Sequence, residues 1–437
     1  MNVNSGFRIQ LKPLVHLFLV FMFIYISDDT VLFGTNANSG FVNGKYLFIC
    51  GMSIVLFIYS FLKKPSVQTR VAFIFVILSV LILTTMFLNN DIRLGYFYKV
   101  ALILYSIGLL RVLGFDELKD CFCKIIYVIS AISLFLFALY MIVPGIFSIF
   151  PTLTNSAGNR FYNAFLYVQP AWSSASLRNY GIFREPGVYQ MYVIVALLFT
   201  IANEQKSEIK KVIVLVVTVI TTVSTTGYIA LAVVILIYLR KKTNVTKNQK
   251  KIIMMVVSLG VLYLLTNTNL FSFDKEHQYE SVFYKLTDIT RWTTIARFAS
   301  VTENIRIMLI KPIFGVGLAE LDRLFPMLAL ENYGFASTHN TNTFLIQFAA
   351  HGVVYGTLYI WGYVKFAKRL AGSRDWLLYF FVFVILFMGE NLTFSGFASL
   401  MLMSGFYYNS SAVRSSQCEI SSTHTGRIEE VRKELEI

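Results

Sequence analysis

Apolar runs about as long as a bilayer core is thick recur from one end of this chain to the other, and no other feature constrains its fold so tightly. A spanning helix needs roughly 20 mostly apolar residues, because the hydrocarbon layer is about 30 Å thick and a helix rises about 1.5 Å per residue. Runs are read as spans at 14–26, 46–62, 71–88, 96–110, 122–143, 187–202, 212–224, 226–239, 252–266, 341–364, 376–390 and 391–408. Most are apolar all the way round, whereas a helix on a soluble core would carry a polar face at helical spacing. With 56% hydrophobic and 14% charged residues among 437, a soluble fold is excluded. The fold class is therefore all-α: a polytopic transmembrane helical bundle of about twelve spans. Arg8 and Lys12 precede the first run as in a signal peptide, but Ser27, Asp28 and Asp29 follow it where a small-x-small cleavage site would stand. That run is expected to remain as the first span.

The formal net charge of +14 could suggest nucleic acid. The basic residues, however, lie in short clusters between apolar runs, which is a topology signal and implies a lipid bilayer, with no nucleic acid, as partner. Lys63, Lys64 and Arg70 mark one cytoplasmic loop; Arg111, Lys119 and Lys124 a second; Lys206, Lys210 and Lys211 a third; RKKTNVTKNQKK at 240–251 a fourth; Lys365, Lys368, Arg369 and Arg374 a fifth. Because 203–211 and 240–251 are both basic, the chain between them must double back. The polar knot Ser224, Thr225, Thr226 and Gly227 is the place for it, between two short or partly re-entrant helices. The parity puts both termini in the cytoplasm and leaves two long outer loops, 144–186 and 267–340, in one integral-membrane domain, 1–408, followed by a polar cytoplasmic tail, 409–437. Of the four cysteines, Cys50 falls in a span and Cys121, Cys123 and Cys418 flank basic segments, so no disulfide or metal framework follows.

The outer loops hold the residues suited to chemistry. The first carries Arg160, Arg178, Arg184 and Glu185, ending in RNYGIFREPGVY at 178–189. Arginine offers a planar fork of donors that fits phosphate oxygens and stays charged when partly desolvated; the competing role is snorkelling to lipid head groups. Pro186 and Gly187 place Glu185 at the start of the next span, either as a cap or as a base. In the second loop, RWTTIARFASVTENIRIMLIKP reads as an amphipathic helix, with Ile295, Ala299, Ile305 and Leu309 on one face and Arg297, Ser300 and Asn304 on another. PIFGVG then makes a tight turn with Pro312, Gly315 and Gly317, a weak signal for a phosphate loop because no strand precedes it. His339 and Asn340 open the following span, where a histidine can serve as a base or fix the helix start. His351, inside that span, reads as a packing residue. The spans read as almost free of ionisable groups, which argues against an ion-coupled transporter and moves the chemistry to the outer face. Neither loop holds a D-x-D pair, and no metal or cofactor is expected.

These residues resemble a known family. RNYGIFREPG is similar to the R-x-x-G-x-F-x-E-P motif of bacterial O-antigen and capsule repeat-unit polymerases, in the superfamily shared with O-antigen ligases. The STTG turn at Ser224 to Gly227, Arg297 ahead of Pro312, Gly315 and Gly317, and His339-Asn340 ahead of Gly352 match in the same order. The resemblance covers about 178 to 356. It implies transfer of a growing glycan from undecaprenyl pyrophosphate to a hydroxyl of the next lipid-linked oligosaccharide unit, at the outer face of the bacterial inner membrane. Arg178, Arg184 and Arg297, with Asn340 and Arg160, would bind the pyrophosphate and substrate, and Glu185 or His339 would accept the proton. The family is metal-independent and needs no cofactor; a chain-length regulator protein is an implied partner. Asp28 and Asp29 are a minor alternative for the catalytic acids. Rival functions are an O-antigen ligase, a lipid-linked oligosaccharide flippase, and a membrane scaffold without activity.

Overall fold

The computed structural model describes residues 11–34, 41–63, 68–155, 159–171, 177–202, 209–241, 292–334, 339–372 and 375–407. The sequence-read span at 252–266 and the polar tail lie outside them. The helices are α1 (Leu11–Tyr25), α2 (Phe41–Lys63), α3 (Thr69–Leu88), α4 (Leu94–Leu113), α5 (Phe115–Ile142), α6 (Pro186–Ala202), α7 (Ile209–Thr221), α8 (Thr225–Lys241), α9 (Trp292–Ile310), α10 (Leu318–Tyr333), α11 (Thr343–Ala371), α12 (Trp376–Gly389) and α13 (Gly396–Phe406). Among the described residues, five helical stretches are long and apolar enough to cross a membrane: Gly44–Lys63 in α2, then α3, α4, α5 and α11. Lys12–Tyr25, α6, α12 and α13 are shorter but also apolar. The chain is a helical membrane protein.

Lipid-like surroundings explain where its apolar residues sit. Large side chains such as Leu47, Val55, Phe73, Val76 and Phe135 are exposed on α2, α3 and α5, which would be costly in water and is neutral against acyl chains. Helix α6 is buried on every side from Pro186 to Phe199, as its all-round apolar sequence requires. Small residues permit the closest approaches. A Cβ on Gly108 of α4 would come within 2.9 Å of Leu56 on α2.

The doubling back expected at Ser224 to Gly227 is present. Helix α7 ends at Thr221 and α8 begins at Thr225, with Tyr228 N–H donating to the Ser224 carbonyl and the Tyr228 hydroxyl to that of Ile220. Two outer-loop expectations need correction. Segment 144–186 carries a small antiparallel sheet, β1 (Thr152–Thr154), β2 (Arg160–Asn163) and β3 (Val168–Pro170), in the order β1-β2-β3. Its strands are too short to show alternation in sequence, and they close because Phe161 and Val168 bury against Val31. Segment 267–340 contains α10 as well as the expected helix, α9.

The spans are also less free of ionisable groups than expected. Lys99 of α4 is buried, donates to Gln347 Oε1 of α11 and lies 4.6 Å from the centroid of Tyr355. The two aromatic rings nearest the buried His351 are Tyr96, at 6.0 Å, and Tyr355, at 4.7 Å, consistent with packing. Arg111 is buried with its Nε on Ser60 Oγ at 3.0 Å.

Helix α11 is broken at Gly352, whose φ of +83° suits glycine alone. The break leaves backbone groups that a membrane interior cannot solvate, and PIFGVG takes them up. Val353 N–H donates to the Pro312 carbonyl at 2.7 Å, while Val316 and Gly317 N–H donate to Ala349 and Ala350 at 3.0 Å. A Cβ on Gly315 would meet the Ala350 oxygen at 2.3 Å, and one on Gly352 the Ile313 oxygen at 2.1 Å. The glycines of P-x-x-G-x-G thus hold a broken helix together, and these amides of the turn are spent on protein carbonyls instead of a phosphate.

Candidate functional site

Segment 178–187 is tied to three others by its backbone. Asn179 N–H donates to the Thr221 carbonyl, and Arg178 Nε to that of Thr222, both at 2.9 Å, which hangs the segment on the α7–α8 turn. Val168 N–H donates to Gly181, joining it to β3. Val31 N–H donates to Ile182 and Arg184 N–H to Asp29, making a short bridge with the strand-like residues after α1. Gly181 has φ +54°, and a Cβ there would lie 2.8 Å from the Tyr189 ring. Both facts exclude a larger residue. Pro186 then starts α6, and the Glu185 carbonyl accepts from Tyr189 N–H at 3.1 Å, so Glu185 stands at the head of the helix as its sequence implied.

A fourth segment, the loop between α12 and α13, completes the cluster. Thr343 Oγ1 at the start of α11 donates to the Glu390 carbonyl at 2.5 Å and accepts from Leu392 N–H at 2.9 Å. Arg184 Nη2 donates to the Asn391 carbonyl at 2.7 Å, and its Nε is buried with no hydrogen-bond partner. Glu390 itself is only 8% exposed. Its Oε1 lies 1.7 Å from the point a Cβ on Gly187 would occupy, so the carboxyl rests on the bare first turn of α6. Asp29 Oδ2 accepts from Tyr192 at 2.6 Å and from Ser395 at 2.5 Å, while its Oδ1 is buried and unpartnered. Beside it, Asp28 closes a buried ion pair with Lys45 at 2.6 Å.

The electrostatics are those of a crowded site in which three arginines, Arg178, Arg184 and Arg297, act among four carboxyl groups, Glu185, Glu390, Asp28 and Asp29. Burial raises the Glu390 carboxyl, helped by the charge of Glu185 and opposed by Arg184, Arg297 and Arg178, and it comes to about 8. Burial likewise raises Asp29, against Arg184 and the two hydroxyls. Arg184 is destabilised by burial, but Glu185, Asp28, Glu390 and Asp29 outweigh it and raise its value. Arg297, half-buried on α9, is lowered by burial, with Glu390 as its compensating charge and Arg178 adding repulsion.

The structure thus gathers Arg178, Arg184, Glu185 and Arg297 into one electrostatic cluster. Asn340 is next to it but spoken for: its amide exchanges hydrogen bonds with Asn304 of α9 at 2.7 and 3.0 Å. Ser300 Oγ accepts from Thr341 N–H at 3.0 Å, so the polar face of α9 fixes the start of α11. His339 is exposed at that start. Arg160 is exposed on β2, and the charges that act most strongly on Glu390 are those of Glu185, Arg184, Arg297 and Arg178. Glu390 is not singled out by the sequence because it falls at the junction of two apolar runs, 376–390 and 391–408, where an acid passes for a helix end. The available signal was its isolation, as the only charged residue between Asp375 and Arg414. No family model and no curated protein matches this chain.

Proposed function

We propose that the chain is a polymerase of lipid-linked oligosaccharide repeat units, working at the outer face of a bacterial inner membrane through about twelve spans with both termini cytoplasmic. The observation that carries this reading is the convergence of Arg178, Arg184 and Arg297, from separate segments, on a spot that also holds Glu185 and Glu390. Guanidinium groups gathered from separate segments suit a pyrophosphate, and a carboxylate among them suits a hydroxyl that must lose its proton.

In the reaction, the acceptor hydroxyl oxygen bonds to the anomeric carbon of the growing glycan. The bond from that carbon to the pyrophosphate oxygen breaks, and undecaprenyl pyrophosphate leaves with the electron pair. Its charge is met by the three arginines, placed before the reaction and partly desolvated, where they act more strongly than in water. The hydroxyl proton passes to Glu185, and His339 positions the acceptor.

The test is the lipid-linked species that accumulates in a strain lacking the protein. Single repeat units displayed outside support the polymerase; full chains outside indicate a ligase, and units held inside indicate a flippase. Accessibility tags test the topology: positions 155 and 279 should be outside and position 247 inside, and finding 155 and 279 on opposite faces would break the shared site.

A further inference from the structure

Glu390 has no role in the mechanism above, yet it lies at its centre. Its carboxyl is nearly covered, set against the first turn of α6 over the bare Cα of Gly187. The backbone carbonyl of Glu390 is clamped by Thr343, and the next residue, Asn391, accepts from Arg184. A residue whose backbone is held this firmly beside a cluster of arginines has its carboxyl placed to meet whatever the arginines meet. We infer that Glu390 binds the lipid pyrophosphate through its own O–H, giving the ligand one neutral donor beside three guanidinium groups and leaving Glu185 to take the acceptor's proton. The inference rests on the pyrophosphate reading of the arginine cluster.

The surroundings explain why a carboxylic acid can act as a donor there. From its own side Glu390 is crowded by Glu185, two residues before Gly187, and burial works in the same direction. Arg184 and Arg178 face it from the 178–187 segment and Arg297 from α9. The segment after α1 brings Asp29, held by Tyr192 and Ser395, and Asp28, already neutralised by Lys45. His339 stands at the start of α11. An ionised Glu390 would compete with phosphate for the same arginines, so ligand and proton arrive together and the coupling is reciprocal.

The experiment is binding of inorganic pyrophosphate to the purified full-length protein in lipid nanodiscs, from pH 7 to 9.5, for the wild type and Glu390→Gln. The amide keeps a donor and cannot ionise, so the variant should retain the pH 7 affinity within about threefold, which also shows that it is folded. Above pH 8 the wild type should lose affinity relative to the variant by up to about tenfold per pH unit, the limit for one linked proton. Comparing the two proteins cancels the titration of pyrophosphate itself. Gly187→Ala, which puts a methyl group where Oε1 lies, should weaken binding at pH 7. Parallel pH curves for wild type and Glu390→Gln would overturn the role of Glu390 while leaving the arginine site standing. Absence of pyrophosphate binding in both would overturn the arginine site as well.

Discussion

The two ends of the helix bundle use their charges in different ways. At the end formed by the α4–α5 and α11–α12 connections, the polar and charged groups form local, separate pairs among the described residues. His16 Nδ1 meets Glu117 at 2.6 Å, Arg240 meets Asp375 at 3.3 Å, and Arg369 donates to the Ser404 carbonyl and lies 3.9 Å from the Phe115 ring centroid. At the other end, Arg178, Arg184 and Arg297 act jointly on Glu390, and Arg184 keeps a buried nitrogen with no hydrogen-bond partner. Charge matched in pairs holds helices together. Charges of both signs crowded at one shared spot are costly to the fold and make that spot the candidate site.

The comparison breaks most visibly at Glu185. If the carboxylate takes the acceptor proton, Glu185→Gln should lower polymer synthesis by about a thousandfold, measured with purified protein and lipid-linked repeat units. A robust rate would return Glu185 to the status of a helix cap. Next come the arginines: lysine at 178, 184 or 297 keeps the charge but removes the fork, and should cost about a hundredfold in rate at unchanged protein level. Full activity in all three lysine variants would put these arginines in the same class as those at the opposite end. His339→Ala should cost about ten- to a hundredfold, the worth of one positioning hydrogen bond.

A smaller effect concerns stability. In the unfolded chain Glu390 titrates near its ordinary 4.5, and in the fold near 8, so between those values the native protein holds a proton that the unfolded one has released. Stability therefore falls as pH rises through that window and levels off above it. Glu390→Gln removes the fall, and its melting temperature should exceed the wild type's by a margin that grows from pH 5 to pH 8. The smallest effect belongs to the opposite end, where Arg240→Ala breaks a partly exposed pair worth about 0–1 kcal/mol and should leave activity unchanged.

What the sequence disclosed follows from the range of the interactions involved. Runs such as 71–88 and 122–143 announce themselves because a bilayer demands continuous apolarity, and the break before Thr225 shows as a polar knot in an apolar run. The RNYGIFREPG stretch concentrates its chemistry locally and was read with its position at the head of α6. The sheet escaped notice because strands of three or four residues carry no period. Helix α10 was hidden by Pro326 in its interior. The pairing of PIFGVG with Gly352 is visible only when the two meet in space. Glu390 required the same step, since a single acid after an apolar run looks like a helix end until Gly187 is beneath it.

The hydrogen bond between Asp29 and Ser395 spans 366 positions of the chain. During synthesis at about 5–20 residues per second, Asp29 waits roughly 20 to 70 s for that partner to be made. Arg184 similarly depends on the carbonyl of Asn391, 207 residues later. The site is therefore incomplete until the loop between α12 and α13 has been made. A chain truncated before α12 could insert most of its helices and still lack the residues, Glu390, Asn391 and Ser395, that complete the cluster.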